Sequence, residues 1–270
     1  MRKYKFTKET IKVNGHTLHR IKAVRSFGCV HRGDLGGFIE SEENLVHWGK
    51  SWIFDNAKVF GNAKVLGDAK VTDDACVCGD AEVSHEATVA GNAKVCGEAQ
   101  VSDSAWIRDT AQVSGKAMVC GRARVFDNAN ISGNASICVY AFIGDNAVVT
   151  DDVWISDSVH VVGDAHVFGN ALIFACAYIA GRAEIYDSCH TLIVGPLTIG
   201  NKFITFFRDA DKDISVVVDC NLKEIDKIDI FAQKINETYG DSKDGKAYKA
   251  AIELAKIHID FTDDWIESAD

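Results

Sequence analysis

A single proline, Pro196, occurs in the 270 residues. Proline removes a backbone donor and breaks hydrogen-bond ladders. Its absence from the first 195 residues therefore leaves a long backbone free to pair without interruption. No stretch approaches the roughly 18 consecutive apolar residues of a membrane span, so no spanning helix and no membrane partner are expected. The opening, Met1 to Glu9, has no apolar core of the secretory type, and a cytoplasmic location is expected. Basic charge is in deficit, with 29 Lys and Arg against 39 Asp and Glu and a net charge of -10. That balance argues against non-specific nucleic-acid binding but permits a local basic patch. A compact disulfide framework is also missing. The nine cysteines, an odd number, are scattered through the chain, which suits a reducing compartment.

What the chain does contain is rhythm. From Ala57 to Ser188 a six-residue unit, Ala-x-(Val/Ile)-x-(Gly/Asp)-x in its commonest form, recurs 22 times with no insertion or deletion. The first position is Ala in 20 units and Val in two, Val153 and Val159; the third is Val or Ile in every unit. A strand alternates its side chains, so the Ala and the branched residue two further on both point inward. The pairs that follow, such as Gly61-Asn62 and Gly133-Asn134, tolerate positive φ and supply a corner. Three six-residue sides close a triangular coil of 18 residues, and 132 residues give about 7.3 such coils. At a strand spacing of roughly 4.8 Å the resulting prism is about 35 Å long.

The string Val59-Phe60-Gly61-Asn62-Ala63-Lys64 resembles the hexapeptide repeat of left-handed parallel β-helix proteins, a likeness covering about half of the chain. The segment from Gly33 to Leu45, GDLGGFIESEENL, is similar to the lead-in of bacterial and phage members of that group with no settled activity. The resemblance implies a mainly β fold, a left-handed parallel β-helix, and leaves function open. Related coils carry acyltransferases, a carbonic anhydrase class and non-catalytic proteins. A phage origin, with the host cytoplasm as location, is a further implication.

Both ends of a β-helix are open sheet edges that need covers. Residues 1–44 read as N-terminal hairpins around Asn14-Gly15 and Gly33-Asp34, residues 45–196 as the β-helix, and residues 197–270 as a small α+β cap. Within that cap, Lys202 to Arg208 and Ile214 to Cys220 read as a hairpin. A helix over 223–239 places Ile225, Ile228, Phe231 and Ile235 on one stripe and ends at Gly240. A second helix over 245–259 carries Tyr248, Ile252, Ala255 and Ile259.

Stacking at intervals of 18 predicts which outward residues become neighbours. Trp106, Arg124, Phe142, His160 and Tyr178 form one column, and Arg108 and Phe126 stand beside it. Earlier outward positions are Lys58, Lys64, Lys70, Glu82 and Lys94, a solvated surface, so the change near residue 105 calls for a cause. One is burial, under the cap or against a second copy, which the apolar Trp154, Phe168, Leu172, Phe174 and Tyr186 on the other sides also favour. The other is ligand binding: aromatic faces stack planar rings and Arg forks hold phosphate or carboxylate. The seven residues Trp106, Arg108, Arg124, Phe126, Phe142, His160 and Tyr178 are therefore the candidate ligand site.

No catalytic residue, metal or cofactor is assigned. Hexapeptide acyltransferases resemble the repeat but place a catalytic His and substrate contacts on bulging loops, and this repeat has no bulge. His85 falls at a corner, and His160, His166 and His190 on coil faces. His160 and His166 lie six apart, on adjacent sides, unlike the five-residue spacing of the β-helical carbonic anhydrases. Cys78 with Cys96, and Cys120 with Cys138, stack as pairs of small tolerated residues. Asp109, Asp127 and Asp145 share a corner column, where each is expected to bond its own turn rather than a cation. The leading expectation is a non-catalytic homo-oligomer, dimer or trimer, that binds or sequesters a small anionic nucleotide-type ligand or a protein partner. The alternatives are a hexapeptide acyltransferase and a self-assembling structural β-helix.

Overall fold

The computed structural model describes residues 2–197, 202–218 and 224–261. Each hexad forms one two-residue strand and one corner, and each strand pairs in parallel with the strand 18 residues away. Trp106–Ile107 lies between Thr88–Val89 and Arg124–Val125. The Trp106 amide donates to the Ala123 carbonyl at 2.9 Å, and the Arg108 amide donates to that of Val125 at 3.0 Å. The same ladder, repeated, builds three walls around a linear core of roughly eight turns. The first wall runs from Lys58–Val59 to Glu184–Ile185, the second from Lys64–Val65 to Leu172–Ile173, and the third from Trp52–Ile53 to Tyr178–Ile179.

The inward Ala and Val or Ile side chains are inaccessible to solvent throughout and form one cluster along the axis. Burying each branched side chain contributes about 1.5–3 kcal/mol, so the core is a sum of small equal steps. Corners take positive φ, as at Gly61 (69°) and Asp145 (53°). The corner aspartates do not bond their own turn. Asp145 Oδ2 accepts from the Gly163 amide one coil on at 2.9 Å, Asp127 Oδ2 from that of Asp145 at 3.3 Å, and Asp109 Oδ2 from that of Asp127 at 3.5 Å. The cause is the stacking itself. It sets the next corner N–H, which the ladder does not use, over the carboxylate, and that donor satisfies the charge without a cation.

Strands β1 (Tyr4–Val13) and β2 (His16–Ala23) form the expected hairpin through Asn14 and Gly15, both at positive φ. Strand β3 (Leu35–Ile39) pairs antiparallel with β2 and parallel with Lys58–Val59, converting hairpin into solenoid and covering its first edge. This junction needs the glycines of the lead-in: a Cβ on Gly37 would fall 2.4 Å from the Ala57 carbonyl oxygen. The coil starts one hexad before the regular repeat. Ser51 takes the place of the inward Ala, and its hydroxyl accepts from the buried Lys3 Nζ at 3.1 Å. Asn44 closes the second wall from below: its amide donates to the Gly61 and Ala63 carbonyls while its Oδ1 accepts from the Glu40 and Ser41 amides.

At the other end, Thr191–Leu197, Lys202–Arg208, Ile214–Val218 and Asp226–Lys227 make an antiparallel sheet backed by α1 (Ile228–Tyr239) and α2 (Lys243–His258). Cys220 and residue 223 lie outside the described residues. Helix α1 starts at Ile228, later than the stripe suggests, because Asp226–Lys227 pairs with Ser215–Val216. Ile225 accordingly lies off the helix and is exposed, whereas Ile228, Phe231 and Ile235 are buried. The stripe of α2 is buried as expected, and Ser242 Oγ caps it by accepting from the Gly245 amide. The cap seats on the last coil: Tyr178 N donates to Thr205 Oγ1 at 3.0 Å, Ala210 N to the Arg182 carbonyl at 2.9 Å, and Phe207 and Val217 enter the solenoid core.

Candidate functional site

On the third wall the register is Thr88, Trp106, Arg124, Phe142, His160 and Tyr178, each one coil above the last. The candidate residues therefore share one wall, but they divide into two sets. In the upper set the rings close on one another. Phe126 meets Phe142 edge-on at 5.6 Å, Phe142 stacks on His160 at 5.4 Å, and His160 stacks on Tyr178 at 5.4 Å. Tyr178 is only 4% exposed, sealed by the cap. Burial holds the His160 imidazole below its ordinary value, partly offset by its contact with the Ser158 carbonyl, so the ring favours its neutral form and behaves as a stacking partner.

The lower set is open. Trp106 is 45% exposed. Arg124, directly above it, is exposed, and its guanidinium makes no hydrogen bond or ion pair among the described residues. Arg108 lies 5.3 Å from the Phe126 ring centre and 3.5 Å from Asp109. The small Ala90 beneath Arg108 leaves a cleft of about 310 Å³, floored by Thr88, Ala90 and Gly91 and flanked by Trp106, Arg108, Asp109 and Asp73. Asp73 is engaged by the Gly91 amide at 2.8 Å. A second depression, about 350 Å³, shares Thr88 and Trp106 and extends to Lys50 and Lys70.

Two neighbours escape a reading confined to wall positions. Arg122 and Tyr140 occupy successive turns of the corner beside this wall, with the guanidinium 5.8 Å from the ring centre and Tyr140 55% exposed. The same interval of 18, applied to corners, marks them. The exposed large apolar residues of the upper coils concentrate on the second wall, where Met118, Trp154 and Leu172 share a column and Phe174 lies alongside.

His160 and His166 stand on different walls. His85 sits at a positive-φ corner. His190 is not on a coil face: it ends the 3₁₀ turn Ser188–His190 and is fully buried, its ring 4.0 Å from that of Tyr186. Among the described residues no group of three or more His, Cys, Asp or Glu is arranged to hold a metal. The reading of the stacked cysteines as merely tolerated small residues is corrected at one pair. Cys78 and Cys96, with Cα atoms 4.7 Å apart on adjacent coils, are joined by a disulfide, because the inter-strand spacing falls inside the range a disulfide spans. No helix among the described residues is long and apolar enough to cross a membrane. Searches of protein-family models and of curated proteins find no match to this chain.

Proposed function

We propose that the protein is a non-catalytic, oligomeric binding protein that captures a small anionic, nucleotide-type ligand at the open end of the third wall. The observation that carries this reading is the pairing of a half-exposed indole, Trp106, with Arg124 one coil above it, whose guanidinium is exposed and has no ion pair among the described residues. A planar ring can stack on the first while a phosphate takes the fork of the second. Arg108 beside the cleft adds a second guanidinium. The cluster contains no nucleophile with a general base in hydrogen-bond reach, which favours capture over acyl transfer. The test is a thermal-shift panel of nucleotides. A bound member present at 100 times its Kd adds about 2.7 kcal/mol of stability, and Trp106→Ala with Arg124→Ala should remove that shift. No shift with any nucleotide, or equal shifts in the double variant, would refute the reading.

The oligomeric part rests on the second wall. Trp154 is 53% exposed beside Leu172 and Phe174, and a contiguous apolar patch of that kind is characteristic of a contact surface. A second copy of the chain is the proposed occupant. Native mass spectrometry should report a dimer or trimer that Trp154→Lys dissociates; a monomer at micromolar concentration would refute it.

A further inference from the structure

Cys120 and Cys138 repeat, on the second wall, the arrangement that is already bridged on the first. Each pair follows an inward Val or Ile, is separated by 18 residues, and lies on directly hydrogen-bonded coils. Cys78 and Cys96 are joined; Cys120 and Cys138 are free thiols whose sulfurs lie 2.6 Å apart. Neighbouring strands hold such Cα atoms at about 4.8 Å, within the range that a disulfide spans without backbone movement. Both residues are half-buried and follow the inward Val119 and Ile137 on the wall. The other free cysteines among the described residues, Cys29, Cys76, Cys176 and Cys189, have no cysteine 18 residues away.

We propose that Cys120 and Cys138 are a redox modification site, a dithiol that closes reversibly into a second inter-coil disulfide by exchange with a low-molecular-weight disulfide. The Cys120 thiolate attacks one sulfur of that disulfide, forms a mixed disulfide and expels one thiolate. The Cys138 sulfur, on giving its proton to water, then attacks the Cys120 sulfur and expels the second. Two protein thiols are oxidised, one external disulfide is reduced to two thiols, and a dithiol such as dithiothreitol reverses the process. Burial, followed by the contact with Cys120, pushes the Cys138 thiol up to about 12. Burial therefore keeps Cys138 in its thiol form until the mixed disulfide stands beside it. The bridge ties together the coils that carry Arg122 and Tyr140, two residues beyond the respective cysteines.

The experiment uses the full-length chain with Cys176→Ser, folded, treated with oxidised glutathione, blocked with iodoacetamide and cut with trypsin without reduction. The expected product is the peptide 117–122 linked to the peptide 125–182, in which Cys138 is then the only cysteine. Thiol counting on the unaltered chain after denaturation gives an independent readout: nine cysteines leave seven thiols when only Cys78–Cys96 is closed and five when both bridges are. Closure should raise the thermal midpoint by roughly 5–10 °C, a gain absent from Cys138→Ser. Seven thiols after oxidation, a lasting glutathione adduct on Cys120, or a link from Cys120 to any other cysteine would each overturn the proposal.

Discussion

Replacing Asp145 separates the two forces that hold a corner of this solenoid. Asp145 sits at φ 53°, and its Oδ2 accepts from the Gly163 amide of the next coil at 2.9 Å. Hydrogen bonds to charged acceptors contribute about 1.5–3 kcal/mol when enclosed. Solvent exposure of this corner reduces that to about 1 kcal/mol. Left-handed backbone costs a side chain with a Cβ roughly 1 kcal/mol, less for Asp and Asn and nothing for Gly. Asp145→Ala loses the acceptor and keeps the strain, so it should destabilise by about 1.5–2 kcal/mol, a fall in thermal midpoint of roughly 3–8 °C for a chain of this size. Asp145→Gly loses the acceptor but sheds the strain, and should lie within about 0.5 kcal/mol of the original. Asp145→Asn keeps an acceptor and tolerates the φ, so it should also stay within about 0.5 kcal/mol. Calorimetric or fluorescence melts at neutral pH give the ordering. An Ala variant as stable as the original would show that the inter-coil bond contributes nothing. A Gly variant as unstable as the Ala variant would remove backbone strain from the account.

His160 predicts a pH dependence of definite sign. Because burial lowers its folded pKa below the ordinary 6.5, the unfolded chain takes up the proton first as pH falls. The stability associated with the neutral ring is complete above pH 6.5 and is lost as pH drops through the folded value. His160→Phe, which keeps the stack on Phe142 and Tyr178, should flatten the fall in melting temperature between pH 7 and 5, and parallel curves for the two proteins would contradict this. Asn44→Ala strands the Gly61 and Ala63 carbonyls and the Ser41 amide at the N-terminal edge, while the Glu40 amide keeps the Val59 carbonyl at 3.2 Å, a loss of about 2–4 kcal/mol. Hydrogen exchange should then accelerate in the first coil well before the coils around residue 140, and uniform acceleration would refute the local role.

The coil and its columns were legible because the period is unbroken: a wall residue meets only the residues 18 before and after it, so Trp106, Arg124 and Phe142 align from counting alone. The features that escaped counting depend on contacts outside that period. Tyr178 looks like Trp106 in the repeat, yet Thr205, 27 residues on, takes its amide and the cap covers its ring. Ser51 breaks the Ala rule and still turns inward, because Lys3, 48 residues earlier, supplies the donor that a buried hydroxyl needs. Helix α1 starts late because strand pairing with Ser215 and Val216 outweighs the helical spacing of residues before 228. The aspartate corners were misjudged for a different reason: turn chemistry considers one chain segment, whereas a stacked corner offers a closer donor from the coil above. The same vertical logic bears on the wall itself. The cap buries the upper end of the aromatic column and the N-terminal sheet covers Trp52 at the lower end, so the exposed indole of Trp106 and the exposed Arg124 occur where neither cover reaches. A solenoid whose ends are closed leaves the side chains of this wall open only in its middle coils, and Trp106 and Arg124 occupy that position.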